Sequence, residues 1–514
     1  MGDSIDTAFG DYLAKTGLER KDHQFEAVRW CAQREREGSM AGPARCRGGL
    51  VADEMGLGKT IEIIGTMACN PKAHTLVVVP LALLQQWQRA LTRGGAYQPL
   101  IYHGPSKTKM DPADVEAAEV VLTTYGTLAS AADAAAGQAK GLLHGHTWDR
   151  IVCDEAHHLR NRRTKTHRGV AKINSQIRWL LTGTPIQNRK SDFYSLCAAM
   201  GIPQGYYLKP ENLAPLARAF ILKRTKKTAG LDLPRLTRRV QKVEWVSRDE
   251  ARLAEDIHSL LAFSGIGERQ RPADGPGPGR RAPGVTSAAA FGRTSLPLLV
   301  RARQACVHPP LMREHLSRLQ TAGIIEKQDW LMSATQSSSK ISAVLSQLIE
   351  RKDNGARKLV FCHYRGEIDA LIRGLEAQGI RAASLDGRTP ASRRRELLTP
   401  ASPDDQVDVL VLQIQTGCEG LNLQRFSEVY FVSPHWNPAV EDQAIARCHR
   451  MGQTRPVTVF RYVMKGFDPD TRSVEAYTRE VQWNKRVLVT ELEEARTSAP
   501  DAAPKHAADW ELPG

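Results

Sequence analysis

What this chain of 514 residues has little of narrows it first. Its nine cysteines include no C-x-x-C pair, which disfavours a zinc ribbon, a zinc finger or a thioredoxin-type site. Free thiols in a reducing compartment are the expectation. No apolar stretch follows the opening MGDSIDTAFGDYLAK, so no secretory signal is expected. Asp6 occupies the position where N-myristoylation needs Ser or Thr. The longest strongly apolar run, around 76–84, is interrupted by Pro80 and is far too short to cross a bilayer. There is no repeat of fixed period. A soluble intracellular protein with no membrane attachment is expected.

Charge is abundant and unbalanced. Lys and Arg number 71 against 56 Asp and Glu, a net charge of +15. Such a surface is drawn to polyanions, nucleic acid being the commonest; a solvated, Arg-enriched surface is the alternative. At 41% hydrophobic and 25% charged the chain reads as globular, and its length allows about three domains.

Short β-branched runs at 75–79, 120–123, 151–154 and 179–182 read as buried parallel strands, with helices at 60–68 and 81–91. The pattern returns with strands at 359–362, 407–412, 429–432 and 458–462 and helices at 341–351, 368–378 and 439–449. Two α/β units are implied. Between them, 264–294 is rich in Pro, Gly and Arg and cannot build a core. It reads as a flexible basic linker, a solvated spacer in preference to a DNA contact. A smaller Ala-rich insertion covers 129–140. The expected domains are 1–240, a helical and linker insertion 241–335, 336–490, and a tail 491–514.

The strongest local signal is GGLVADEMGLGKT, 48–60. Gly56, Gly58, Lys59 and Thr60 form the end of a phosphate-binding loop. Glycines let backbone N–H groups turn toward phosphate oxygens, Lys59 supplies a charge to the β- and γ-phosphates, and the Thr60 hydroxyl can hold Mg²⁺ at the positive end of a helix. The strict pattern wants Gly at 53, where this chain has Asp53; a Gly-rich turn before a helix is the alternative. Further on, RIVCDEAH (150–157) is a hydrophobic strand ending in two carboxylates. Asp154 at its tip can hold Mg²⁺ and Glu155 can orient and polarise a water, since phosphoryl transfer rests on placement and charge neutralisation. Arg447 and Arg450, three apart, would share a helix face. A fork of fixed charge suits contact with a phosphate; surface ion pairs are the alternative.

DEMGLGKT (53–60), DEAH (154–157) and LTGTPIQN (181–188) resemble motifs I, II and III of the SNF2 family, superfamily-2 ATPases that translocate on duplex DNA. In that family Asp is usual at the position of Asp53. Asp22, His23 and Gln24 resemble the Q-motif, which makes Gln24 the adenine candidate. LVVVPLALLQQW (76–87) and VLTTYGT (121–127) resemble motifs Ia and Ib, LVFCH (359–363) motif IV, GLNL (420–423) the end of motif V, and QAIARCHRMGQ (443–453) motif VI. RARQACVHPPL (301–311) is similar to a stretch of the Rad5/Rad16-like branch, here without a RING finger. Cys306 and His308 within it have too few neighbouring ligands for zinc.

The resemblance implies two tandem RecA-like lobes, ATP and Mg²⁺ as cofactors, and a nucleotide site formed by Gln24, Asp53, Glu54, Met55, Gly56, Leu57, Gly58, Lys59, Thr60, Gly420 and Gln443. Catalytic roles fall to Lys59, Asp154, Glu155, Arg447 and Arg450, with Thr60 and Asp154 on the metal. The implied partner is double-stranded DNA, with nucleosomes as a candidate, in the nucleus, in chromatin remodelling or repair. A strand-separating helicase and a non-catalytic DNA-binding scaffold are the rival readings. Motif V departs from the family: Gln413 stands at the hydroxyl position, Cys418 at the second glycine, and Glu419 adds an acid.

Overall fold

The computed structural model describes residues 2–131, 141–184, 190–261, 295–398, 407–417, 421–467 and 472–497. The linker 264–294, the core of the Ala-rich insertion (132–140), Gly420 with Cys418 and Glu419, and the tail beyond 497 lie outside the described residues. The chain forms two units, one built on Met1–Leu233 and the other on Pro234–Asn484.

In the first unit the strands are β1 (Ser39–Ala41), β2 (Ala44–Val51), β3 (Thr75–Val79), β4 (Leu100–Tyr102), β5 (Val120–Thr124), β6 (Thr147–Cys153), β7 (Asn174–Leu181) and β8 (Ile221–Leu222). They form one sheet in the order β1-β2-β7-β6-β3-β5-β4, with β8 beside β2. All pairings are parallel except the β1–β2 hairpin. β3 shows why these strands read as unbroken apolar runs. Leu76 and Val78 join the hydrophobic cluster on one face and Val77 and Val79 the cluster on the other, so every position is buried.

The second unit holds β9 (Leu236–Val243), β10 (Lys358–Cys362), β11 (Ala382–Leu385), β12 (Val409–Gln413), β13 (Glu428–Phe431) and β14 (Val457–Met464), all parallel, in the order β11-β12-β10-β13-β14-β9. β10 repeats the two-faced burial, with Leu359 and Phe361 on one side and Val360 and Cys362 on the other. Two units of parallel sheet with flanking helices are the α/β architecture expected.

The boundary differs from the one expected at 240. β9 pairs along its whole length with β14, from Leu236 opposite Val457 to Val243 opposite Met464, which carries the second unit back to Pro234. The stretch expected as an insertion is also part of that unit's core. Helices Arg248–Ser259 and Ser295–Val307 bury Leu253, Ile257, Ala302 and Cys306 in the same cluster as Val360 and Phe460.

Candidate nucleotide site

In a parallel sheet all the carboxyl ends of the strands, and the loops that follow them, lie along one edge. Residues 52–58 follow β2 on that edge of the first unit, Asp154 and Glu155 follow β6, and Thr182 follows β7. Helix Lys59–Cys69 starts at the end of the loop, with Gly58 as its N-cap at φ 100° and Gly56 at φ 96°. Left-handed backbone at this point is what glycine permits at low cost. A Cβ on Gly58 would lie 2.3 Å from Gln24 Nε2. The loop is closed from the Q-motif side, because His23 Nε2–H and Gln24 Nε2–H donate to the Leu57 carbonyl at 2.9 and 3.2 Å. Motif III also approaches the loop closely: a Cβ on Gly183 would meet Met55 Cγ at 2.8 Å.

Lys59 Nζ donates to the Asp53 carbonyl at 2.7 Å. Asp154 Oδ2 accepts from the Trp87 indole N–H at 2.7 Å, and its Oδ1 from the Glu155 N–H at 2.8 Å. The Tyr125 hydroxyl donates to the Asp154 carbonyl at 2.6 Å. Burial and the adjacent Glu155 push the Asp154 carboxyl above the usual carboxylate range, while the Trp87 bond and the Lys59 ammonium pull it back. Lys59 and the acidic pair therefore share one electrostatic environment. Glu155 is the one non-glycine among the described residues with positive φ, 48°, and its Oε2 lies 3.3 Å from His157 Nδ1. A residue held in that region is strained, and such strain gathers at functional sites.

This edge fits a magnesium–nucleotide complex. The loop has the two glycines that turn its N–H groups, Lys59 is in reach, and a buried carboxylate stands at a strand end. Lys59, Asp154, Glu155, Asp53, Glu54, Met55, Leu57, Thr60 and Gln24 are all brought to it. Gln24 differs from its expected role in one respect: its amide N–H is bonded to the loop, and the side chain is buried.

Asp53, at the position where the strict loop pattern has glycine, lies in a setting that local sequence does not announce. Its carboxylate is fully buried and clamped by Arg224, whose guanidinium also bonds Glu62 Oε1 at 2.8 Å. Burial pushes the Glu62 carboxyl well up, with Asp53 adding to the effect. Trp87, Tyr125, Glu62 and Arg224 were not singled out from sequence. The one available signal was the Asp at a glycine position, which once buried demands a counter-charge; the basic run at 223–227 supplies it.

In the second unit the structure joins motif IV to the segment after β13. His363 Nδ1 pairs with Ser433 Oγ at 3.1 Å, Arg303 bonds both His363 Nε2 and the Pro434 carbonyl, and Gln413 Nε2–H donates to the His363 carbonyl at 3.3 Å. Gln443 is buried and its Nε2 has no hydrogen-bond partner among the described residues. Arg447 and Arg450 do not share a helix face. The helix runs Pro438–Ile445 and both arginines lie in the turns that follow. Beyond the helix end, Leu423 N–H donates to the Arg447 carbonyl at 3.1 Å, which ties this turn to the end of motif V. Burial, with the charge of Arg447 adding to it, holds the Arg450 guanidinium below its usual range. Cys306 is buried, its Sγ 3.7 Å from His258 Nε2, a packed pair.

Residues 23–204 match the SNF2-related domain and residues 339–452 the helicase conserved C-terminal domain. A probable global transactivator of the Orgyia pseudotsugata multicapsid polyhedrosis virus is 30% identical over 92% of this chain and 91% of its own length. The DNA repair protein RAD5B of Arabidopsis thaliana is 27% identical over 86% of this chain and 45% of its own, so the chain spans about half of that relative. Among solved structures, a Sulfolobus solfataricus SWI2/SNF2 ATPase core in complex with dsDNA is 22% identical, covering 93% of this chain and 97% of that one at a TM-score of 0.38.

Proposed function

Since the chain belongs to the SNF2 family of superfamily-2, DNA-dependent ATPases, we propose that it translocates along double-stranded DNA at the expense of ATP. The observation that carries the reading is the placement of Asp154, buried just after β6, within the field of Lys59 at the start of the helix that follows the β2 loop. That arrangement suits phosphoryl transfer, which depends mainly on positioning and charge neutralisation.

Each residue has a role in this reading. Lys59 and the N–H groups of 55–60 bind phosphate oxygens, and Gln24 with Gln443 orients the nucleotide. Thr60 and Asp154 would hold Mg²⁺, which would neutralise phosphate charge. Glu155 orients a water and accepts its proton. Arg447 and Arg450 balance the charge that develops on the transferred phosphate, a contribution worth about 10³–10⁵ in rate in comparable enzymes. The excess of basic residues supports sequence-independent, salt-sensitive hold on the DNA backbone. Action on nucleosomes or damaged DNA, and a nuclear location, belong to the same proposal.

ATPase rates with no DNA, single strands, duplex and nucleosomes, measured side by side, test it. Duplex should stimulate most, and Lys59→Ala should abolish turnover while DNA binding survives. A strict single-strand preference would favour strand separation, and full turnover in Lys59→Ala would remove the nucleotide-site assignment.

A further inference from the structure

The segment by which the chain leaves the first unit is bonded to the phosphate loop almost residue by residue. β8 pairs with the end of β2, Leu222 opposite Val51. The pairing then continues beyond the sheet. Ala52 N–H donates to the Leu222 carbonyl at 2.7 Å and Glu54 N–H to the Arg224 carbonyl at 2.9 Å. Returning bonds come from Arg224 N–H to Asp53 Oδ1 and from Lys226 N–H to Glu54 Oε2, each 2.8 Å. Lys226 Nζ lies 3.2 Å from Glu54 Oε1.

Arg224 is the bolt of this ladder. Its Nε donates to Asp53 Oδ2 at 3.0 Å, its Nη2 to Asp53 Oδ2 and to Glu62 Oε1, and its Nη1 to the His23 carbonyl. Asp53 and Glu62 are both wholly buried. Two carboxyl groups buried at one point need a cation or a proton between them, and the Arg224 guanidinium supplies the cation and with it fixes the loop's shape. A lysine could reach one of these acceptors; the planar fork reaches all of them. Asp53 is also gripped through its main chain, since its carbonyl accepts from Lys59 Nζ at 2.7 Å. The lysine assigned to the phosphates and the arginine of the exit segment thus hold opposite sides of one residue. Lys59 turning toward a phosphate would release that carbonyl and change the load on the residue that Arg224 holds. The same stretch of chain runs on to Pro234, where the second unit begins.

We propose that Arg224 is a positioning residue of the phosphate loop, and that through it the segment 222–226 passes the nucleotide state of the loop into the chain that enters the second unit. The inference rests on reading the loop as a nucleotide site. It adds a device to that reading: a hydrogen-bonded extension of the sheet, anchored on an aspartate that replaces a glycine.

Hydrogen–deuterium exchange on the full chain, with and without ADP, tests it, together with the affinity for the fluorescent analogue mant-ADP. In the wild type ADP should slow exchange at 52–60 and at 222–226 together. Arg224→Gln should weaken mant-ADP by roughly tenfold or more, the equivalent of one charge-assisted hydrogen bond, and should uncouple 222–226 from ADP. Arg224→Lys, which keeps the charge and is the safer variant for folding, should recover part of the affinity and little of the coupling. The proposal is overturned if ADP protects the loop but leaves 222–226 unchanged in the wild type. It is equally overturned if folded Arg224→Lys matches the wild type in affinity and exchange. A wild type that binds no mant-ADP would overturn the nucleotide reading along with it, and would show before any variant is made.

Discussion

Trp87 donates its indole N–H to Oδ2 of Asp154 across 2.7 Å, and both side chains are buried. The helix Leu84–Thr92, which carries Trp87 at the end of motif Ia, is thereby tied to the carboxylate assigned to magnesium. A carboxylate held by an outer partner keeps one orientation, and such partners are commonly worth roughly 10- to 100-fold in metal affinity or activity. Trp87→Phe removes the N–H and keeps an aromatic ring. It should raise the Mg²⁺ concentration needed for half-maximal ATPase and lower kcat/KM within that range, with a stability loss of about 1–3 kcal/mol from the smaller side chain. Magnesium titrations of ATPase and of mant-ADP binding, with thermal melts, measure both. An unchanged Mg²⁺ requirement would leave Trp87 a packing residue only.

Gly58→Ala should impair the loop more than an ordinary Gly→Ala change. The residue sits at φ 100°, and the added methyl would lie 2.3 Å from the Gln24 amide that closes the loop. Left-handed strain of about 1–2 kcal/mol adds to the displacement of Gln24. Weaker mant-ADP binding with a slightly lowered melting temperature is the expected result. Wild-type affinity would show that the Gln24 bond to Leu57 is dispensable.

Midway along β6, Arg150 forms a fully buried bidentate pair with Glu35, with both contacts at 2.6 Å. Trp179 Nε1–H and Asn70 Nδ2–H donate to the same carboxylate of Glu35 at 2.8 and 2.7 Å. Glu35→Ala would leave the guanidinium buried without its counter-charge, a loss of about 3–5 kcal/mol. Urea unfolding of the variant against wild type checks this, and a change under about 1 kcal/mol would contradict it.

His258 is held neutral in the second unit. Burial lowers it to about 4, although its Nδ1 bond to the Ala254 carbonyl at 2.6 Å opposes the shift. The folded value lies below the unfolded one of about 6.5, so the unfolded chain binds the extra proton. The associated stability is complete above pH 6.5 and is lost as pH falls toward 4, amounting to roughly 3 kcal/mol at the acid end. His258→Gln should flatten the dependence of melting temperature on pH between 7 and 4. An equally steep dependence in the variant would assign the acid sensitivity elsewhere.

Much of the architecture could be read along the chain. The buried strands at 75–79 and 359–362 announce themselves because a strand covered on both faces has no polar alternation to obscure it. The phosphate loop and the acid pair after β6 were legible for a related reason: their chemistry needs particular residues at adjacent positions. β9 was not legible, since its sequence LTRRVQKV looks exposed, and only pairing with β14 makes it a strand. The helix expected through 449 ends at Ile445, and the turns that follow are tied to Leu423, some twenty residues upstream, by a bond to the Arg447 carbonyl that local sequence does not announce.

Local order thus determined which residues are proposed to carry the chemistry: Lys59, Asp154, Glu155, Arg447 and Arg450. Tertiary structure alone decided what holds them. Trp87 meets Asp154 and Arg224 meets Asp53 across long stretches of chain. The reason is physical: a buried charge must find its partner in space, and the hydrogen bond that satisfies it leaves no periodicity in the sequence.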